Sequence, residues 1–148
     1  MPLDLSFVGR TYPPTAPYQV GREKIREFAR AIGADDALYL DPEAARAGGY
    51  ADVVAPPTFP VVITMAASRQ IVDDPELGVD YSRVVHGEQR FAYTRAVVAG
   101  DELVCVNTIE EIISRGGHEF LTTRTDVTTT AGEPVVSVWS KLVVRGEG

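Results

Sequence analysis

The chain is poor in residues that hold metals or form crosslinks. It has one cysteine, Cys105, and two histidines, His86 and His118, among 148 residues. A lone cysteine excludes a disulfide within the chain, and so few soft ligands argue against a structural zinc site. Positive charge is scarce as well: 14 Lys and Arg stand against 21 Asp and Glu, a net charge of −7. That balance argues against a nucleic-acid binder, which needs a basic patch to displace counterions, and against electrostatic attachment to a membrane. No apolar run approaches the roughly 18 residues of a membrane span. The start, Met1-Pro2-Leu3-Asp4, lacks the basic and apolar regions of a secretory signal. Repeats and low-complexity tracts are missing too. Hydrophobic residues make up 45% of the chain and charged residues 24%. These proportions predict a soluble cytoplasmic protein folded as one domain over residues 1–148.

The first half carries helical signals. Residues 1–16, rich in proline, read as an extended lead-in, and Tyr18-Gln19-Val20 as a short strand. In residues 21–33, Ile25, Phe28, Ala29 and Ile32 recur at the spacing of one helical face, and Gly33 supplies the stop. The opposite face holds Arg22, Lys24, Arg26 and Arg30 interleaved with Glu23 and Glu27, a pattern of solvated ion pairs. Asp41-Pro42-Glu43 is a cap, a first-turn proline and an acidic first turn, and Gly48-Gly49 ends that helix. After the turn Ala55-Pro56-Pro57-Thr58, residues 59–72 are apolar on nearly every side as far as Ser68. They predict a buried helix capped by Thr58. A β-branched strand through Val61-Val62-Ile63 is the competing reading.

The second half predicts strands at Val84–Tyr93, Asp101–Ser114, Glu119–Thr130 and Pro134–Arg145. Hairpin turns at Gly116-Gly117 and Ala131-Gly132 make them an antiparallel meander. One buried helix followed by long strands predicts an α+β hot-dog fold, a long antiparallel sheet wrapped around a central helix. A cystatin-like or nuclear-transport-factor-like cone fits the same order of elements.

The segment from Ile32 to Pro42, with Ala55-Pro56-Pro57-Thr58-Phe59, resembles the MaoC-like (R)-specific enoyl hydratase and dehydratase family. In that family the first stretch reads Gly-Asp-x-Asn-Pro-(apolar)-His-x-Asp, and an Ala-x-Gly turn opens the buried helix. Phe91–Asp101 is similar to the family's Phe-x-x-Pro-(apolar)-x-x-Gly-Asp step. Within the family the chain is most similar to the noncatalytic subunits of heterodimeric (3R)-hydroxyacyl-ACP dehydratases. The resemblance implies a hot-dog fold and a hydro-lyase reaction on acyl thioesters. In active members an Asp and a His position a water and move protons, and a backbone N–H at the turn glycine holds the thioester oxygen.

This chain departs from the pattern at each reacting position. Gly33 matches, but Ala34 stands where the Asp belongs, Asp36 where the Asn belongs and Tyr39 where the His belongs. Pro57 replaces the turn glycine and has no N–H to donate. No catalytic set is intact. The resemblance therefore implies a subunit that binds an acyl chain and supports a catalytic MaoC-like partner in a heterodimer, or that pairs with itself. Acyl-CoA or acyl carrier protein would be the ligand, with no cofactor. Asp36, Tyr39, Pro57, Thr58 and His86 are the candidate substrate-binding residues. A non-enzymatic acyl-thioester-binding or regulatory homodimer is the alternative, and an active enzyme built on Tyr39, Asp36 or His86 is a third reading. His118 and Cys105 are expected to be a turn residue and a core residue.

Overall fold

The apolar stripe after Gly21 becomes a helix, α1 (Arg22–Ala31), in a computed structural model that describes residues 2–146. Ile25 and Ala29 are fully buried, and Phe28 meets Phe59 edge-on with ring centroids 5.5 Å apart. Ile32, on the same stripe by spacing, is the exposed C-cap, because the helix ends one residue earlier and Gly33 turns the chain at φ +70°. Asp36 caps the one-turn helix α2 (Ala37–Leu40) by accepting from the Leu38 N–H. Asp41 caps α3 (Pro42–Ala47) in the same way.

The single buried helix predicted over residues 59–72 is two short ones, α4 (Val61–Ala67) and α5 (Arg69–Val72), broken at Ser68. The Ser68 hydroxyl donates back to the Met65 carbonyl at 2.7 Å, a contact that bends helices. The Ile71 N–H bonds the Ser68 carbonyl, which frees the Ala67 carbonyl, and Asn107 Nδ2 donates to that oxygen at 2.9 Å. The expected cap is also absent: the N-cap is Pro60, and Thr58 makes no side-chain cap bond. Nor is α4 buried all round. Phe59, Ile63 and Ala67 face the core, whereas Met65 is 65% exposed.

The sheet has the order β1-β3-β4-β5-β2, with β1 (Tyr18–Gln19), β2 (Val84–Tyr93), β3 (Glu102–Arg115), β4 (His118–Thr129) and β5 (Pro134–Val144). All pairs are antiparallel. The β3–β4 hairpin turns at Gly116-Gly117 and β5 follows beside β4, as predicted. The predicted four-strand meander is wrong at its first strand. β2 lies on the far edge, paired with β5 through Arg90 opposite Trp139 and Phe91 opposite Val138. The reason lies in the connection, residues 94–101. Its backbone groups bond the segment 53–55, through Ala55 N–H to the Val97 carbonyl at 2.8 Å and Ala99 N–H to the Val53 carbonyl at 3.0 Å. Asp101 accepts from the Val98 N–H and from both terminal nitrogens of Arg95, which also pairs with Glu133. A loop bound in this way cannot close a tight hairpin.

The sheet curls around α4 in the hot-dog arrangement. Leu103, Cys105, Val127, Val136 and Val138 of its concave face pack with Phe59, Ile63 and Ala67. A second cluster, with Ile71, Ile109, Ile112 and Leu121, holds the N-terminal segment through Leu3 and Phe7. That segment, predicted as extended throughout, begins with a one-turn 3-10 helix at Leu5–Phe7. It then covers the edge of β3, with Tyr12 N–H bonding the Asn107 carbonyl and Thr15 N–H the Cys105 carbonyl, both at 2.9 Å. The outer edge of β2 has no such cover among the described residues. No helix among them is long and apolar enough to cross a membrane.

Candidate functional site

On either side of the break at Ser68, α4 and α5 border a space that the concave face of the sheet closes. This cavity has a volume of about 430 Å³. It lies within the range of roughly 300–1,000 Å³ that small-molecule sites occupy. Its floor is buried, formed by Thr64, Ile71, Thr123, Thr125 and Val138, and its rim carries the exposed Met65, Tyr81 and His86. The surface of the wall is mostly apolar. The polar groups on it are hydroxyls, one amide, one imidazole and the guanidinium of Arg69, which pairs with Asp73 at 2.7 Å.

Two hydrogen-bond sets shape the cavity. Behind the floor, fully buried Asn107 accepts from the Thr125 hydroxyl at 2.7 Å and donates to the Ala67 carbonyl and to Gln70 Oε1, both at 2.9 Å. It thus ties β3 and β4 to the helix break. At the rim, Gln89 donates to the Trp139 carbonyl at 3.1 Å, accepts from Ser140 at 3.1 Å and lies 2.9 Å from His86 Nε2. His86 and Gln89 share a face because the strand is bulged between His86 and Glu88. Gly87 permits that bulge. A Cβ there would stand 3.2 Å from the Lys141 carbonyl oxygen and 3.3 Å from Val143 Cγ2. Gly87→Val is expected to destabilise the fold by about 1–3 kcal/mol through overpacking, read as a fall in the midpoint of urea unfolding.

Of the five residues expected to contact substrate, only His86 lines the cavity. Asp36 is an exposed helix cap, and Tyr39 is half-buried against the main core cluster. Pro57 and Thr58 lie in the exposed turn before α4, where the Pro57 carbonyl accepts from the Tyr93 hydroxyl. Ala34 is occupied structurally, its N–H bonding the Ala29 carbonyl at 2.8 Å. The positions that the resemblance matches to the family's reacting groups, Ala34, Tyr39 and Pro57, carry a methyl group, a phenol and a tertiary amide nitrogen without a proton. Gln89, Ser140, Thr123 and Thr125 line the cavity but were not singled out in the sequence. The only signal for Gln89 was Gly87 inside a strand, which marks a bulge.

The remaining chemistry is quiet. Arg22 pairs with Asp52 at 2.9 Å, Lys24 with Glu27 at 3.0 Å and Arg26 with Glu23, so the basic residues of α1 are largely paired on its surface. Arg22 and the Val53 N–H hold the Asp52 carboxyl below the usual range. Burial pushes the Cys105 thiol up to about 11, which leaves it inert at neutral pH. His118 Nδ1 accepts from the Gly146 N–H at 3.0 Å beside the hairpin turn. No group of three or more His, Cys, Asp or Glu among the described residues is placed to hold a metal.

The model of the FAS1-like dehydratase domain region matches residues 6–138. A UPF0336 protein of Streptomyces avermitilis is 61% identical over 98% of this chain and 97% of its own. Among solved structures, a chain of the C-terminally truncated HadBC (3R-hydroxyacyl-ACP dehydratase) complex of Mycobacterium tuberculosis superposes with TM-score 0.83 at 32% identity, covering 93% of this chain and 96% of that one. A MaoC-like dehydratase matches with TM-score 0.88 at 35% identity, over 95% of this chain but only 43% of that longer chain.

Proposed function

Since the chain belongs to the FAS1-like dehydratase-domain, MaoC-like family, we propose that it is the acyl-binding subunit of a (3R)-hydroxyacyl-thioester dehydratase, or equally of the reverse enoyl hydratase, in fatty-acid metabolism. A catalytic MaoC-like partner supplies the Asp and His. One observation carries the reading. A largely apolar cavity of about 430 Å³ lies beside an uncovered edge strand, in a chain whose own acid–base positions are Ala34 and Tyr39. The cavity holds an acyl tail, while positions 34 and 39, matched to the family's Asp and His, carry a methyl group and a phenol and do not reproduce that pair. The ligand is acyl-CoA or acyl carrier protein, no cofactor is needed, and the compartment is the cytoplasm.

The edge of β2 explains the need for a partner. Its unpaired N–H and C=O groups are satisfied when a second sheet joins it. The HadBC neighbour is part of a complex, and the MaoC-like neighbour is more than twice the length that this chain covers, which leaves room for a second domain in the same chain. Both support a functional unit of two hot-dog domains. Expressed alone the chain is expected to form a homodimer through β2, and with a catalytic MaoC-like chain a heterodimer. Size-exclusion chromatography with light scattering checks this, and a monomer at micromolar concentration would refute it. In the same co-expression, a partner whose dehydratase activity is unchanged by this chain would refute the division of labour and favour a regulatory homodimer.

A further inference from the structure

His86 and Gln89 are the cavity residues for which the backbone departs from a regular strand. In an unbroken strand, positions three apart face opposite sides of the sheet. The bulge brings His86, opposite Leu142, and Gln89, opposite Ser140, to the same concave face. Gln89 is then oriented by its neighbours. Its Nε2 donates to the Trp139 carbonyl, so its Oε1 points the other way as an acceptor. That oxygen takes a bond from the Ser140 hydroxyl and lies 2.9 Å from His86 Nε2. An amide oxygen cannot donate, so the neutral imidazole carries its proton on Nε2 and its lone pair on Nδ1. No donor among the described residues meets Nδ1. An unfilled acceptor thus stands at the rim of a cavity whose surface is mostly apolar.

We propose that the His86–Gln89 pair is a binding site for the hydroxyl group of a 3-hydroxyacyl chain, which donates to His86 Nδ1. Gln89 acts as the positioning residue. An acceptor selects for a hydroxyl, because a saturated or enoyl carbon has nothing to donate there. The rim is the place for such a group: carbon 3 lies near the carrier, whereas the floor at Ile71 and Val138 suits the tail. His86 is also on β2, so the site borders the partner in a pair of sheets joined through that edge. This inference rests on the acyl-ligand reading above.

Calorimetric titration of the full chain with 3-hydroxydecanoyl-CoA and with decanoyl-CoA tests it. The hydroxylated ligand is expected to bind about three- to tenfold more tightly, the worth of one neutral hydrogen bond. His86→Ala should erase that preference and leave decanoyl-CoA within about twofold. Gln89→Ala should reduce it and convert the ¹⁵N imidazole signals of His86, recorded at about pH 8.5 where histidine is ordinarily neutral, from one tautomer to a mixture. If neither ligand binds, the acyl-ligand reading falls and takes this one with it. If both bind equally to the native chain, or His86→Ala keeps the preference, this inference alone is overturned. A native spectrum with the proton on Nδ1 overturns it without reference to binding.

Discussion

Purified alone, the chain is expected to hydrate crotonyl-CoA at the background rate. A positioned acid–base pair contributes about 10²–10⁴-fold, and one oxyanion donor contributes about 10²–10³-fold on top. On the proposed matching to the family motif neither is present: Ala34 and Tyr39 stand at the positions of the pair, and Pro57 has no N–H at the turn before α4. The double variant Ala34→Asp, Tyr39→His is therefore expected to remain at least about 100-fold below an intact family member, because it does not restore the oxyanion donor. A continuous assay of thioester hydration measures both. Robust turnover that survives repurification and disappears with Tyr39→Phe would show that this chain runs the reaction by itself.

The second large effect falls on stability. Asn107 is fully buried and makes three side-chain hydrogen bonds that join β3, β4 and the helix break. Asn107→Ala leaves the Ala67 carbonyl and the Thr125 hydroxyl without that partner, and it opens a void behind the cavity floor. Orphaned buried groups cost about 1–3 kcal/mol each, so a loss of roughly 2–4 kcal/mol is expected after partial relaxation. For a chain of this length that lowers Tm by about 5–15 °C, measurable by calorimetry. A change below about 2 °C would mean that the network merely fills space.

The contrast between legible and illegible parts follows from the range of the interactions. α1, the cap at Asp41 and the hairpins β3–β4 and β4–β5 rest on contacts between residues close in the chain, and their spacing shows in the sequence. The place of β2 does not, because its neighbour β5 begins some forty residues later and the choice is made by the bonds of residues 97–99 to 53–55. The apolar run at 59–72 announced a helix but hid its break, which depends on Ser68 and on Asn107 arriving from another strand. At the site, the departures from the family motif at Ala34, Tyr39 and Pro57 were legible by likeness to that motif. The cavity was not, since its lining comes from six separate elements, α4, α5, β2, β4, β5 and the 3-10 turn at Tyr81–Arg83. His86 was noticed as a rare residue type, whereas Gln89 is common and gains meaning only from the bulge.

The position of β2 also governs the order in which the molecule can be made. On the ribosome this strand emerges well before the last strand, with which it pairs. During that interval it has no native neighbour, while β3 and β4 close against each other locally. The wall of the cavity that carries His86 is therefore completed last, after the final strand leaves the exit tunnel. Until then an unpaired strand is free to join the wrong edge, the hazard of long-range pairing in nascent chains. A partner that caps the outer edge of β2 as soon as β5 has docked would thus shorten the period in which the newborn chain is vulnerable, as well as complete the assembled pair.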